Sequence, residues 1–517
     1  MPSTLVAVRL LGLGEGASAR DRRTAIGCGA ASLLLLAGVA VAGDSAAVPG
    51  LGAGSGPPWD AALHPPSWLV TVLLVIAYGL GAVAVGLGLR ALRRGASGPG
   101  PRVVAAAGVA AVALLVLVPP LGSADHLSYV AYGRIAAAGD DPYALAPDQW
   151  RGGHDPVAGA VQPPWRSTPS VYGPVATAVQ AAVADAGAGS VRRTVWWWQL
   201  VAGAAFLAVA GMLDRLTRHD PSARARAAVL WTLNPLLLGQ LVLGAHLDVL
   251  AAALALGVIA TARRAPLVAG VLLGAAAGTK LPYAVAGLAA VWALRTVPPR
   301  RLAWMLASGT AGALAVLVPA YLWAGPHVFD QLGRAGRMVS LATPWRVLVD
   351  GAGLVVGSGT ARSVVTPLAG LLAVGLVWRL VRRPPWSVAW SVAWSVAAEP
   401  GPEPGPESEP TDRFVVDAAR AAVLLSAAWV LTAPYALPWY DALVWAPLAL
   451  AGGSWLDGAM LVRLVTLAVA YVPGRVVGLS PPVETITLGI RRGLAPLVAV
   501  GVLVVVWRRT RRGVAEP

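Results

Sequence analysis

An apolar run from Val103 to Leu121 gives way to Ser123-Ala124-Asp125-His126-Leu127-Ser128-Tyr129, and Asp125 is the carboxylate best placed to do chemistry. His126 stands beside it, and Tyr129, Tyr132 and Arg134 follow. A carboxylate at the end of an apolar helix can act as a general base; partial burial raises its pKa and a nearby cation lowers it. The plainer alternative is a solvated residue that simply ends the helix. Roughly fifty residues rich in Asp, His, Arg, Trp, Tyr and Pro come next, including Tyr143 and Tyr172, and long loops of that composition usually carry function.

Lys280 is the second chemical signal. The chain has 39 Arg and a single Lys, which sits in Gly278-Thr279-Lys280-Leu281-Pro282-Tyr283 between two short apolar arms. Such a cation needs a partner: a phosphate group, or an internal carboxylate such as Asp248. His246 and Asp248, downstream of Asn234-Pro235, could orient a phosphate or a sugar hydroxyl; two ligands at that spacing are weak support for a metal, and no compact cluster completes a metal site. Arg334, Arg337 and Arg346 suit a phosphate, although any one of them could be an interfacial anchor. Trp165, Tyr172, Trp439 and Tyr440 could stack on sugar rings or belong to an aromatic belt at the membrane surface. The sequence holds no P-loop, no G-x-S-x-G elbow and no zinc-protease helix motif.

The elements that must position these residues are membrane helices. Of 517 residues 57% are hydrophobic and 13% charged, and mean hydropathy is +0.66, which identifies an all-α polytopic membrane protein. Segments such as Trp68 to Leu89 and Leu302 to Trp323 reach the roughly 17 to 25 apolar residues that span a bilayer, and the whole pattern predicts about fourteen transmembrane helices. The net charge of +15 does not indicate nucleic acid, because the basic residues sit at helix ends, as in Arg90 to Arg94, Arg215 to Arg226, Arg379 to Arg383 and Arg508 to Arg512. By the positive-inside rule these ends are cytoplasmic, both termini included, and the first helix reads as an anchor. Asp125, the turn at His246, the loop 325–362 and the turn at Trp439 then face the extracytoplasmic side. Residues 1–121 form N-terminal helices, 122–194 a catalytic loop with an interfacial helix, 195–383 central helices, 384–413 a linker of Trp repeats and Pro-Glu repeats, and 414–517 C-terminal helices. The lone Cys28 permits no intramolecular disulfide.

The motifs together resemble those of GT-C fold glycosyltransferases that use polyprenol-phosphate sugars, in particular the actinobacterial polyprenol-phosphate-mannose-dependent α-1,6-mannosyltransferases. The resemblance rests on Asp125-His-Leu-Ser-Tyr129-Val-Ala-Tyr132-Gly-Arg134, Asp141-Pro-Tyr143, Ser170-Val-Tyr172-Gly-Pro174, Asn234-Pro235, His246-Leu-Asp248, Thr279-Lys280 and Pro438-Trp439-Tyr440. It implies a lipid-phosphate-linked mannose donor, a glycan or lipoglycan acceptor of the α-1,6-mannan type, the plasma membrane as location, and inverting transfer without metal or other cofactor. Asp125 is then the base, Lys280 and outer arginines steady the departing phosphate, and His126, Tyr129, Tyr132, Arg134, Tyr143, Tyr172, His246, Asp248, Trp439 and Tyr440 line the substrates. A related arabinosyl- or phosphatidylinositol-mannoside transferase fits the same motifs, and so, with less support, does a transporter of lipid-linked sugars. The Trp and Pro-Glu repeats look peculiar to this chain.

Overall fold

The structure, a computed structural model, describes residues 13–52, 54–336, 338–386, 410–475 and 477–511. Arg337, two tryptophans of the repeat (Trp390 and Trp394) and the Pro-Glu run lie outside the described residues.

Those residues form helices and no strands, as lipid demands of a chain whose backbone groups must be satisfied within each segment. In order, the helices are α1 (Leu13–Val41), α2 (Ser67–Arg93), α3 (Pro101–Val116), α4 (Asp125–Ala137), α5 (Pro174–Gly187), α6 (Val191–Leu216), α7 (Pro221–Leu243, interrupted at Asn234), α8 (Asp248–Thr261), α9 (Pro266–Thr279) and α10 (Leu281–Thr296). After these come α11 (Pro299–Ala324), α12 (His327–Ala335), α13 (Pro344–Val356), α14 (Ser358–Arg382), α15 (Pro410–Thr432), α16 (Ala442–Leu448), α17 (Leu456–Ala470) and α18 (Pro481–Arg509).

Among the described residues eight helices (α1, α2, α6, α7, α11, α14, α15 and α18) are long and apolar enough to cross a membrane, while four apolar helices (α3, α8, α9 and α10) are shorter. The pattern that predicts about fourteen spans is therefore cut into unequal pieces. The cuts have local causes. Pro282 has no N–H to continue α9, so that helix stops with Lys280 in an extended conformation (φ −156°, ψ 113°). Asn234 caps a new helical start at Pro235, its side chain accepting from the N–H groups of Leu236 and Leu237.

These breaks deliver residues to one end of the helix bundle. There α9 is held tightly to α11: a Cβ on Gly270 would fall 2.0 Å from the carbonyl oxygen of Gly309, so only glycine allows the backbones to approach this closely. The Gly173 N–H donates to the Thr279 carbonyl at 3.2 Å, which fixes the loop after α4 against the end of α9. At the far end of α2, Arg90 and Arg94 meet Asp21, and the buried Asp457 takes a 2.6 Å bond from Arg226 with Arg93 at 3.8 Å.

Candidate functional site

Asp125 opens α4, where the unpaired amide groups of the first turn favour a negative side chain. It is nonetheless 6% exposed, and burial pushes its carboxyl up to about 6 against the lowering effects of Trp165 and Lys280. Its Oδ1 accepts from the Trp165 indole at 2.9 Å. Its Oδ2 lies 3.9 Å from His246 Nε2.

The protonation of His246 follows from its neighbours. Nδ1 is 2.5 Å from the Gln240 carbonyl, an acceptor, so the proton sits on Nδ1 and Nε2 carries a lone pair. Nε2 then accepts from the Ser123 hydroxyl at 2.9 Å, while Ser123 Oγ accepts from the Asp125 backbone N–H at 3.2 Å. Burial pushes the imidazole down to about 3, so His246 meets Asp125 as a neutral ring. The turn that presents it is strained and crowded. Ala245 has φ +52°, a conformation costing an alanine roughly 1–2 kcal/mol, and a Cβ on Gly244 would sit 2.5 Å from the Gln240 oxygen. The Ala245 carbonyl accepts from the Trp198 indole at 2.8 Å, which helps hold this turn.

Lys280 places its ammonium 2.7 and 2.9 Å from the two oxygens of Asp248 and 3.5 Å from the centroid of the Tyr440 ring. The Tyr283 hydroxyl adds a 3.3 Å bond to Asp248. One residue earlier in the chain, Trp439 stacks on His246 with centroids 3.7 Å apart and planes 11° from parallel. The turn Pro438–Asp441 thus covers both halves of the site with adjacent aromatic rings.

On the other flank Tyr129 meets Tyr172 edge to face at 5.0 Å and Trp198 at 5.4 Å, and Tyr132 donates to the Thr168 carbonyl at 2.8 Å. Further residues singled out in the sequence serve the walls. Arg134 pairs with Asp155 at 3.3 Å, and Tyr143 is buried with its hydroxyl 2.7 Å from Thr177. His126 is fully buried and is pushed down to about 3 by burial and by Arg475. Arg346 closes on Asp350 within its own helix at 2.8 Å, and Arg334 is exposed on α12, close enough to affect Tyr132 electrostatically. Ser123 and the Asp125 contact of Trp165 escape sequence reasoning: serine before a helix is too common to be a signal, and an indole looks the same whether it stacks or donates. Among the described residues no three His, Cys, Asp or Glu side chains gather as metal ligands.

Residues 24–296 match a family model described as alpha-(1->6)-mannopyranosyltransferase, N-terminal domain. Alpha-(1->6)-mannopyranosyltransferase B of Corynebacterium glutamicum is 31% identical over 135 residues, which is 26% of this chain and 22% of that protein. Alpha-(1->6)-mannopyranosyltransferase A of Mycobacterium tuberculosis is 32% identical over 260 residues, 46% of this chain and 48% of the relative. The chain thus spans less than half the length of each of these relatives. No solved structure matches it. Since the matched stretch covers more than half of the 517 residues and contains Asp125, His246, Asp248 and Lys280, the chain belongs to the alpha-(1->6)-mannopyranosyltransferase family.

Proposed function

We propose that the protein is a membrane mannosyltransferase that moves mannose from polyprenyl-phosphate-mannose to a growing α-1,6-mannan acceptor at the extracytoplasmic face of the plasma membrane. The observation that carries this reading is Asp125: a buried carboxylate, ionised above a pKa of about 6, with one oxygen held by Trp165 and the other beside the neutral His246 ring. Oδ2 is the atom that takes the acceptor hydroxyl proton as the acceptor oxygen bonds to the anomeric carbon. The bond from that carbon to the phosphate oxygen breaks on the opposite side, so a β-linked donor gives an α link, and polyprenyl phosphate leaves with the electron pair.

Lys280 is the nearest fixed cation for that phosphate. An ammonium has three donors and two serve Asp248, which leaves one for a phosphate oxygen. Arg334, Arg337 and Arg346 are proposed to add charge from the loop 325–362, and the aromatic flank of Tyr129, Tyr132, Tyr172, Trp439 and Tyr440 to line the sugars. The arginines at the far end of α2 and around Arg226 support the orientation, since basic ends face the cytoplasm.

The test is transfer of radiolabelled mannose from polyprenyl-phosphate-mannose to a short α-mannan acceptor, in membranes with chelator present, by the native chain and by Asp125→Asn. Transfer by the native chain alone is the expected result. No transfer by either protein would sink the assignment of this donor and acceptor and direct the search to other lipid-linked sugars.

A further inference from the structure

The C-terminal helices reach the site through one buried ion pair. Arg463 lies in α17, an apolar helix whose other charged residue is Asp457. It binds Asp441, the last residue of the turn that carries Trp439 and Tyr440, and it donates to the Val430 carbonyl at 3.0 Å. The side chains of Arg463 and Asp441 are 7% and 0% exposed. The second carboxylate oxygen of Asp441 is buried with no hydrogen-bond partner among the described residues, so Arg463 is the side chain that satisfies this carboxylate. A charge inside an apolar helix is expensive unless it is paired, and here the partner sits one residue from the ring that meets the Lys280 ammonium.

We propose that Arg463 and Asp441 form a positioning pair that holds Trp439 and Tyr440 against His246 and Lys280. The two act through the turn. Pro438 fixes the start of the turn and the Tyr440 N–H bonds back to the Leu437 carbonyl at 3.1 Å, so the backbone is stiff and a shift at Asp441 is passed on to the rings. The inference rests on reading this site as the catalytic one.

Two readouts on the full-length protein separate that dependence from the inference itself. In the first, 3-fluorotyrosine is placed at position 440 and its fluorine resonance recorded in detergent, with Lys280→Met giving the resonance of a ring without its cation. The Arg463→Met and Asp441→Asn double variant removes both charges together, so no buried ion is left unpaired, and Arg463→Lys keeps the charge. The double variant is expected to move the resonance toward the Lys280→Met position, and Arg463→Lys to stay near the native one. In the second readout, kcat/KM with polyprenyl-phosphate-mannose should fall roughly ten- to a hundredfold in the double variant, the scale of a misplaced site, with recovery in Arg463→Lys. A folded double variant with the native resonance would overturn the inference. Absence of transfer by the native chain would remove the functional reading and leave the resonance to decide the positioning.

Discussion

The Lys280 ammonium and the Asp248 carboxylate form a two-pronged bond of 2.7 and 2.9 Å between the end of α9 and the start of α8. Asp248 is 1% exposed, so removing the cation strands a buried carboxylate, a change that costs about 3–5 kcal/mol when no other partner can move in. Lys280→Ala is therefore expected to lower the thermal unfolding midpoint in detergent and to weaken donor binding. Adding Asp248→Asn should restore most of the stability and none of the donor affinity, as measured by binding of radiolabelled donor. Recovery of both would make the pair structural only.

Asp125→Asn keeps the shape of the side chain and the Trp165 contact while removing the base. Transfer is expected to fall at least about a hundredfold. Folding should not suffer. A carboxyl whose folded pKa is raised from 3.8 to about 6 loses stability as pH climbs through that window, so the amide should be more stable at pH 7, on the order of 1–3 kcal/mol. An inactive variant with a lowered unfolding midpoint would instead indicate damage to the fold.

The same shift fixes the acid limb of the rate profile. The base works ionised, so kcat/KM should fall as pH drops through about 6. Trp165 and Lys280 both hold this pKa down, and Trp165→Phe should therefore move the midpoint to higher pH. A midpoint unmoved by that change would mean that another group controls the limb.

Gly244→Ala tests the turn that presents His246. The added methyl would lie 2.5 Å from the Gln240 oxygen and 2.6 Å from His246 Nδ1, and overpacking of this kind costs about 1–3 kcal/mol. The variant should lose both stability and most of its transfer. Gly211→Ala, on α6 with open space around it, is the control and should be neutral or gain about 0.5–1 kcal/mol of stability, read as an unchanged or raised unfolding midpoint.

Much of this site could be read without coordinates because membrane sequences make exceptions visible. Asp125 at the end of an apolar run, the single Lys280, the pair His246 and Asp248, and the aromatics Trp439 and Tyr440 all stand out against alanine and valine, and they meet at one end of the bundle. Arg463 carried a signal like that of Lys280, a cation in an apolar stretch, and repeated arginines in this chain concealed it. Ser123 could not be found that way, since its role comes from a contact with His246 across more than a hundred residues. Arg346 looked available from its loop, and the structure adds a partner that the loop reading did not name, Asp350 one helical turn away at 2.8 Å.

The stack of Trp439 on His246 also bears on how the protein is made. The segment that holds Asp125, His246 and Lys280 enters the membrane early in translation, yet one wall of its site arrives only with residues 438–441, after another six of the helices named above. A nascent chain is therefore incomplete at its chemical centre until that turn has been inserted, and its reactive groups are not assembled while the ribosome is still at work.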